Sequence, residues 1–412
     1  MQHKPQNHTN HATSGVANTG NLSQIITVGL AVFSMFFGAG NLIYPIAVGM
    51  NSGQHVLWGI LAFTTSSVLL PLVGMVAMIL FDGDYNQFFA RLGNIPGKLL
   101  ILSCMIIIGP LIAIPRIVTL SHVMIAPFIP IEFMQTICPS SSLIFALAFL
   151  GTTFLCTYKE NKLIDLLGVV ISPLLLISIM VIVTVGLLNA NAPVMVGSNP
   201  LFVYTENFLR GYETLDLLGA IFFSSIVLSI IKKSAIASAS HNSKRFAMIG
   251  LQAGILGLTL LGLVYAGLSI QGAFYGYGMA GANAGELFRE VSLRILGRSG
   301  ALVIATAVLM ACLSTAMGLA AVIGEYVQKI IFQERICFVS SLILTLVACL
   351  PLCVAGLGKV LALTAGPITF VGYPVLIALT VCNAAYKLVG FKSVKLPVLV
   401  TFALAVAIYF AW

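Results

Sequence analysis

The sequence predicts an all-α protein that crosses a membrane about eleven times. Of its 412 residues, 59% are apolar and only 8% are charged, whereas a soluble domain carries about 25% charged residues. Apolar stretches recur along the chain at about the length of ~20 residues that a helix needs to span a bilayer. These stretches lack the alternation of apolar and polar residues that strands of a membrane barrel require. The composition therefore makes the lipid bilayer the solvent of this chain.

Each apolar stretch is predicted to form one membrane segment. The eleven predicted segments are about 24–50, 55–80, 97–126, 142–157, 163–188, 208–231, 246–270, 300–330, 336–355, 358–385 and 395–411. Residues 1–20 precede them and are polar, without the apolar core of a signal peptide. We expect residues 1–20 to be a disordered cytoplasmic tail.

The basic residues predict the orientation of the chain. The net charge of +8 could suggest nucleic-acid binding, but the Lys and Arg residues lie in short connections, as the positive-inside rule describes. With a cytoplasmic N-terminus, fourteen lie on the cytoplasmic side: Lys4, Arg91, Lys98, Lys159, Lys162, Lys232, Lys233, Lys244, Arg245, Lys329, Arg335, Lys387, Lys392 and Lys395. Five lie outside, namely Arg210, Arg289, Arg294, Arg298 and Lys359. We therefore expect no nucleic-acid partner, a cytoplasmic N-terminus and an external C-terminus.

Three predicted segments carry residues that interrupt helices. The first contains Gly38-Ala39-Gly40-Asn41 near its middle, and the third and tenth contain Gly109-Pro110 and Gly366-Pro367. A freed backbone group in hydrocarbon costs several kcal/mol unless it is buried in protein or lines a wet cavity. Gly and Pro are also common in ordinary membrane helices. At the first segment, however, the added amide of Asn41 favours a binding site of the kind found in transporters.

The sixth segment is predicted to be interrupted as well, near Gly219 to Ser225. Since segments one and six are five apart, the pattern fits two repeats of five helices. We assign residues 21–190 to the first repeat, 208–386 to the second and 394–412 to an eleventh segment. This is a five-plus-five arrangement with discontinuous first and sixth helices.

The sequence lacks the usual signatures of other functions. The eight cysteines show no metal-type spacing and predict no disulfide framework. Neither His-Glu-x-x-His nor Gly-x-Ser-x-Gly occurs, so an enzyme is disfavoured and no cofactor is expected. A repeated selectivity-filter motif does not occur in the sequence, so a channel is disfavoured.

Four motifs, in chain order, resemble the bacterial branched-chain amino acid:cation symporter family. They are 33–45 in the first segment, 109–116 in the third, 211–220 in the sixth, and 311–319 followed by Glu325 in the eighth. The resemblance implies the inverted-repeat fold of the amino acid–polyamine–organocation superfamily. It implies uptake of leucine, isoleucine and valine across the bacterial inner membrane, coupled to sodium or less often to protons.

The predicted substrate site uses the ends of broken helices. Backbone N–H groups at a helix N-terminus bind a carboxylate, and backbone carbonyls accept from an ammonium group. Glycine permits close approach of the substrate to the backbone. The predicted substrate-binding residues are Phe36, Ala39, Gly40, Asn41, Gly219, Phe222, Phe223 and Ser224. Ordinary core packing remains an alternative for each Phe.

A sodium site is predicted on the eighth segment. Ala311, Ser314 and Thr315 place one carbonyl and two hydroxyls on one face of a helix, at i, i+3 and i+4. The resemblance implies that the carbonyls of Ser34 and Phe37 complete the set. Alternatively, the hydroxyls bond back to the preceding turn of their own helix.

Two charged side chains, Arg116 and Asp216, lie inside predicted segments. An ionisable residue within the membrane indicates function by default, although a structural role, as an ion pair or as a charge satisfied by the backbone, is an open alternative. We expect them to be coupled and to take part in cation coupling. Two alternatives stay open: another neutral amino acid as the substrate, and a proton in place of sodium as the coupling ion. Polyamines are disfavoured, because Asp216 is the single carboxylate predicted near the site.

Overall fold

The computed structural model describes residues 13–158, 172–190, 192–237, 243–279 and 282–411. Helices occupy the described part of each of the eleven predicted segments. Within these ranges, eight helices are long and apolar enough to cross a membrane, and three shorter apolar helices accompany them. The prediction of an all-α polytopic membrane protein is confirmed.

The α-helices of more than four described residues are, in chain order, α1 (Thr13–Phe36), α2 (Ala39–Ser52), α3 (56–80), α4 (Tyr85–Ala90), α5 (Asn94–Ile106), α6 (Ala113–Ile125), α7 (Pro139–Thr157), α8 (Ser172–Leu188), α9 (Pro200–Tyr212), α10 (Asp216–Ala237), α11 (Ser243–Tyr275), α12 (Ala284–Tyr326), α13 (Phe338–Ala355), α14 (Leu357–Leu363), α15 (Tyr373–Val389) and α16 (Lys395–Ala411). The first segment is thus built from α1 and α2, and the sixth from α9 and α10.

Two of the predicted regions lie partly outside the described residues. Residues 1–12 of the predicted tail lie outside them, and residues 13–20 of that tail are helical as part of α1 rather than disordered. The beginning of the fifth predicted segment, up to residue 171, also lies outside the described residues.

The interruptions predicted in the first, third and tenth segments are confirmed. The chain leaves the helix at Phe37 and re-enters it at Ala39. The third segment breaks at Gly109, whose φ of −99° and ψ of −114° are not helical. The tenth breaks at Gly366, with φ −90° and ψ −128°. Each break contains a glycine, Gly38, Gly109 or Gly366, as the backbone freedom of glycine predicts.

The predicted position of the sixth-segment break was wrong. Gly219 to Ser224 are helical within α10, and the interruption lies earlier, between α9 and α10 at residues 213–215. Gly219 lies in the continuous helix, and its missing side chain allows close packing: a Cβ there would touch the rings of Phe36 and Phe223. Ser224 returns its hydroxyl to the carbonyl of Ala220 within the same helix.

The backbone at the actual break is strained. Leu215 has a φ of +66°, a region that residues with a branched side chain rarely adopt. Such strain persists where the surrounding structure fixes it, and it is frequent at functional sites. Leu215 is buried and immediately precedes α10.

The two broken segments occupy the centre of the molecule. Helix α2 is buried along almost its whole length and packs against α11, α12, α3 and α6. Helices such as α7, α13 and α16 form the periphery and expose large apolar side chains, for example Leu147, Val347 and Leu399. The polar helix breaks are therefore enclosed by protein, while the apolar exterior matches lipid.

Candidate functional site

A cavity lies where the first and sixth segments are interrupted. It is lined by residues from both breaks and from the helices around them, namely Met35, Phe36, Gly38, Ala39, Asn41, Ile108, Ala113, Arg116, Ile117, Thr214, Leu215, Asp216, Gly219, Phe223, Thr315 and Leu319. Its wall combines apolar side chains with one guanidinium, one carboxylate and one amide. Such an apolar pocket with a few convergent polar groups is the usual form of a small-molecule site.

Asn41 joins the two breaks. Its side-chain oxygen accepts from the backbone N–H of Gly38, at 3.3 Å, and so holds the first turn of α2. Its amide nitrogen donates to both carboxylate oxygens of Asp216, each at 2.8 Å. The hydroxyl of Tyr265, on α11, donates to the same carboxylate at 2.8 Å and also accepts from Asn41. Three helices thus meet at one buried carboxylate.

Arg116, on the third segment, binds the backbone at the break of the sixth segment. Its Nη1 donates to the carbonyl of Glu213 at 2.6 Å, and its Nη2 donates to the carbonyl of Thr214 at 3.1 Å. These carbonyls follow the end of α9, where a cation is favoured by the helix dipole. Of the two structural alternatives, an ion pair with Asp216 is not formed, since their charged atoms do not approach within 4.0 Å. The charge of Arg116 is instead satisfied by backbone carbonyls. Both side chains nevertheless line the same cavity.

Four of the five predicted sodium ligands come together on one side of the first break, namely Ser34, Ala311, Ser314 and Thr315. The hydroxyl of Ser314 lies 2.9 Å from the carbonyl oxygen of Ser34 and 2.8 Å from that of Ala311. The hydroxyl of Thr315 lies 3.4 Å from the same Ser34 oxygen. The fifth predicted ligand is the backbone carbonyl of Phe37, whose ring stacks on Phe33 in the core.

The predicted substrate residues divide into two groups. Those that line the cavity are Phe36, Ala39, Asn41, Gly219 and Phe223. Those that do not line it are Gly40, Phe222 and Ser224. The ring of Phe222 packs instead against the rings of Tyr85 and Phe89.

Gly40 is close to a side chain rather than open to the cavity. A Cβ at this position would lie 2.9 Å from Nη2 of Arg116. The absence of a side chain therefore allows the guanidinium to lie against the backbone of α2. This contact was not foreseen, because the sequence places Arg116 two segments away.

Two tyrosines near the site, Tyr265 and Tyr373, were not predicted from the sequence. Tyr265 is a buried hydroxyl within the apolar seventh segment, and this position in the membrane was the available signal. Tyr373, which begins α15, accepts from the backbone N–H of Leu217 at 2.9 Å. It also stacks on Tyr212 at the end of α9, with ring centroids 4.8 Å apart. The tenth segment thus contacts both sides of the sixth-segment break.

Comparison with known proteins agrees with this architecture. The profile of a family described as "Branched-chain amino acid transport protein" matches residues 21–411. The chain is 30% identical to the branched-chain amino acid permease BraB of Bacillus subtilis, over 88% of this chain and 80% of that protein. It is also 30% identical to the branched-chain amino acid transport system 2 carrier protein of Pseudomonas aeruginosa, covering 91% of this chain and 84% of the relative.

A solved structure shares the fold. The crystal structure of MhsT in complex with L-phenylalanine superposes with a TM-score of 0.59 at 18% sequence identity, covering 94% of this chain and 98% of the other. The predicted inverted-repeat transporter fold is confirmed by this likeness. The relatives are transport proteins, so the prediction of a transporter rather than an enzyme is also confirmed. The match of the family profile over residues 21–411 shows that this chain belongs to the branched-chain amino acid transport protein family.

Proposed function

We propose that this protein imports leucine, isoleucine and valine across the bacterial inner membrane, coupled to sodium by alternating access. The N-terminus is proposed to be cytoplasmic. The observation that carries the proposal is the meeting of two broken helices around one cavity, with apolar walls and a cluster of oxygens beside it. Broken helices that meet within the membrane typically form the substrate and ion sites of secondary transporters.

The cavity wall supports a neutral amino acid with an aliphatic side chain. Met35, Phe36, Ile108, Ile117 and Leu319 supply apolar surface. The first turn of α2 supplies backbone N–H groups that have no acceptor within the helix. The named relatives transport branched-chain amino acids according to their descriptions. An aromatic substrate is the competing choice, because a structure of the same fold contains L-phenylalanine.

The oxygen cluster supports sodium as the coupling ion. The carbonyls of Ser34 and Ala311 and the hydroxyls of Ser314 and Thr315 converge within hydrogen-bond distance. Hard cations prefer such oxygen ligands. The cluster lies beside Gly38, where a Cβ would be 2.9 Å from the Thr315 hydroxyl. Ion binding at this point would therefore act directly on the first break.

Proton coupling is the second candidate, and Asp216 favours it. This carboxylate is only 4% exposed, and its side-chain donors Asn41 and Tyr265 are neutral. A buried charge without an opposite charge beside it is costly, and a proton would remove that cost. In this alternative the hydroxyls of Ser314 and Thr315 would keep their bonds to Ser34 without binding an ion.

Uptake into proteoliposomes tests both candidates. Labelled leucine is offered with either an inward sodium gradient or an inward proton gradient, each without the other. Accumulation driven by sodium alone supports the proposed function, and accumulation driven by protons alone supports the alternative. Competition by unlabelled isoleucine, valine and phenylalanine then ranks the substrates. Failure of leucine to accumulate under both gradients would reject the proposal.

A further inference from the structure

Arg116 is a buried cation whose partners do not neutralise it. The side chain is 4% exposed, and its hydrogen bonds go to the backbone carbonyls of Glu213 and Thr214. In the part of the chain that the structure describes, no carboxylate forms an ion pair with it within 4.0 Å. A guanidinium has five N–H donors, and the two carbonyls occupy two of them. Its Nε is buried without a hydrogen-bond partner among the described residues.

The guanidinium lies at the beginning of a helix. Gly40 is in the first turn of α2, and a Cβ on it would be 2.9 Å from Nη2 and 3.3 Å from Nη1 of Arg116. The N-terminus of a helix carries partial positive charge and exposes N–H donors. The first turn of α2 lines the cavity through Ala39 and Asn41, and Arg116 lines it as well. The helix end and the guanidinium therefore both favour an anion on this side of the cavity.

The rest of the cavity indicates which anion. Asp216 lines the same cavity and carries the opposite charge, while Phe36 and Ile117 add apolar surface. One cation, one anion and an apolar wall complement a zwitterion with an aliphatic side chain. A guanidinium and a carboxylate also match in geometry, because the planar fork donates two parallel N–H bonds to the two oxygens.

We propose that Arg116 is a substrate-binding residue that receives the carboxylate of the transported amino acid. The proposal rests on the proposed function, since it requires an amino acid as substrate. It assigns Arg116 two tasks: two N–H groups hold the carbonyls at the sixth-segment break, and remaining donors bind the substrate. Binding of the substrate carboxylate to Arg116 would then act directly on the hydrogen bonds at that break.

The test compares leucine with isoamylamine, which is leucine without its carboxylate. Dissociation constants are obtained from ligand-induced thermal stabilisation of the purified protein in detergent, so that transport is not needed. Wild type, Arg116→Gln and Arg116→Lys are compared. In Arg116→Gln the dissociation constant for leucine should rise roughly tenfold or more, the loss expected for a charged hydrogen bond. That for isoamylamine should hardly change.

The ratio of the two constants separates binding from a purely structural role. If Arg116 only holds the carbonyls of Glu213 and Thr214, its loss weakens both ligands alike and leaves the ratio unchanged, which overturns the proposal. Arg116→Lys keeps the charge without the fork and covers the case in which the Gln variant does not fold. It should give a smaller change of the ratio in the same direction, and an unchanged ratio overturns the proposal here too. Wild-type protein that leucine does not stabilise would instead reject the proposed function itself.

Discussion

The side-chain amide of Asn41 donates to both carboxylate oxygens of Asp216, each at 2.8 Å. The two residues are 175 positions apart in the chain, and each lies in the first turn of the helix that follows its break. The contact therefore ties the two discontinuous segments together at their interruptions. Any motion that separates the breaks during transport has to lengthen or exchange this bond.

Tyr265→Phe should destabilise the resting protein, because it removes the hydroxyl that donates to Asp216 at 2.8 Å. A buried hydrogen bond to a charged group contributes about 1.5–3 kcal/mol. We expect a clearly lower thermal unfolding midpoint in detergent. Tyr277→Phe is the matched control, since Tyr277 is 60% exposed and its change should leave the midpoint unaltered. Equal midpoints for the two variants would show that the Tyr265 hydroxyl does not stabilise the carboxylate.

Gly40→Leu should abolish leucine uptake while the protein remains in the membrane. Sequence alone attributed the glycine to close approach of substrate, but the structure shows Arg116 in that space. Even a single Cβ would lie 2.9 Å from its Nη2. The larger side chain would displace the guanidinium from the carbonyls of the sixth-segment break. We expect Gly40→Ala to reduce uptake to an intermediate level.

The control for Gly40 is Gly151→Ala, in α7. A Cβ on Gly151 would meet no atom within 4 Å, so uptake should stay at the wild-type rate. Uptake and membrane abundance are measured together for all three variants. Gly40→Leu with wild-type uptake per molecule would mean that the contact with Arg116 is dispensable.

The orientation remains a prediction from basic residues. We expect a tag at the N-terminus to be cytoplasmic and one after Trp412 to be external, because eleven is an odd number of crossings. Membrane-impermeant thiol labelling of a cysteine placed in each tag, in a variant without the eight native cysteines, checks this. Both tags on the same side would mean that the number of crossings is even.

Local sequence predicted the breaks that contain Gly and Pro, and it failed where the break depends on distant contacts. Gly38 and Gly366 lie in the interruptions that their backbone freedom predicts. The sixth-segment break instead contains Leu215 at φ +66°, a conformation that no local propensity favours. It is fixed from elsewhere, by Arg116 on the preceding carbonyls and by Tyr373 on the N–H of Leu217.

The same distinction holds for the candidate site. The spacing of Ala311, Ser314 and Thr315 predicted one helical face, and their oxygens do share a face beside the first break. Tyr265 could not be placed next to Asp216, because hydropathy assigns a residue to a segment but not to a neighbour. Which segments touch is decided by packing over the whole chain.

Thr315→Val and Ser314→Ala should raise the sodium concentration needed for half-maximal leucine uptake. Valine matches threonine in shape but offers no oxygen, so a ligand is lost with little change in packing volume. At saturating sodium, leucine binding should be weakened far less. The affinity for leucine changes only through linkage, because ion and substrate bind to one shared conformational equilibrium and affect each other's affinity reciprocally.

Thr306→Val, on the same helix, provides the matched control for the sodium site. The Thr306 hydroxyl bonds back to Leu302 on an exposed face, so its loss should leave the sodium dependence of uptake unchanged. If protons drive transport instead, wild-type uptake does not depend on sodium, and Thr315→Val cannot change that dependence. Asp216→Asn should then abolish the response of uptake to a pH gradient. An unaltered sodium requirement in both Thr315→Val and Ser314→Ala would therefore exclude the oxygen cluster as the coupling site. In that case Asp216 becomes the residue through which the driving ion acts.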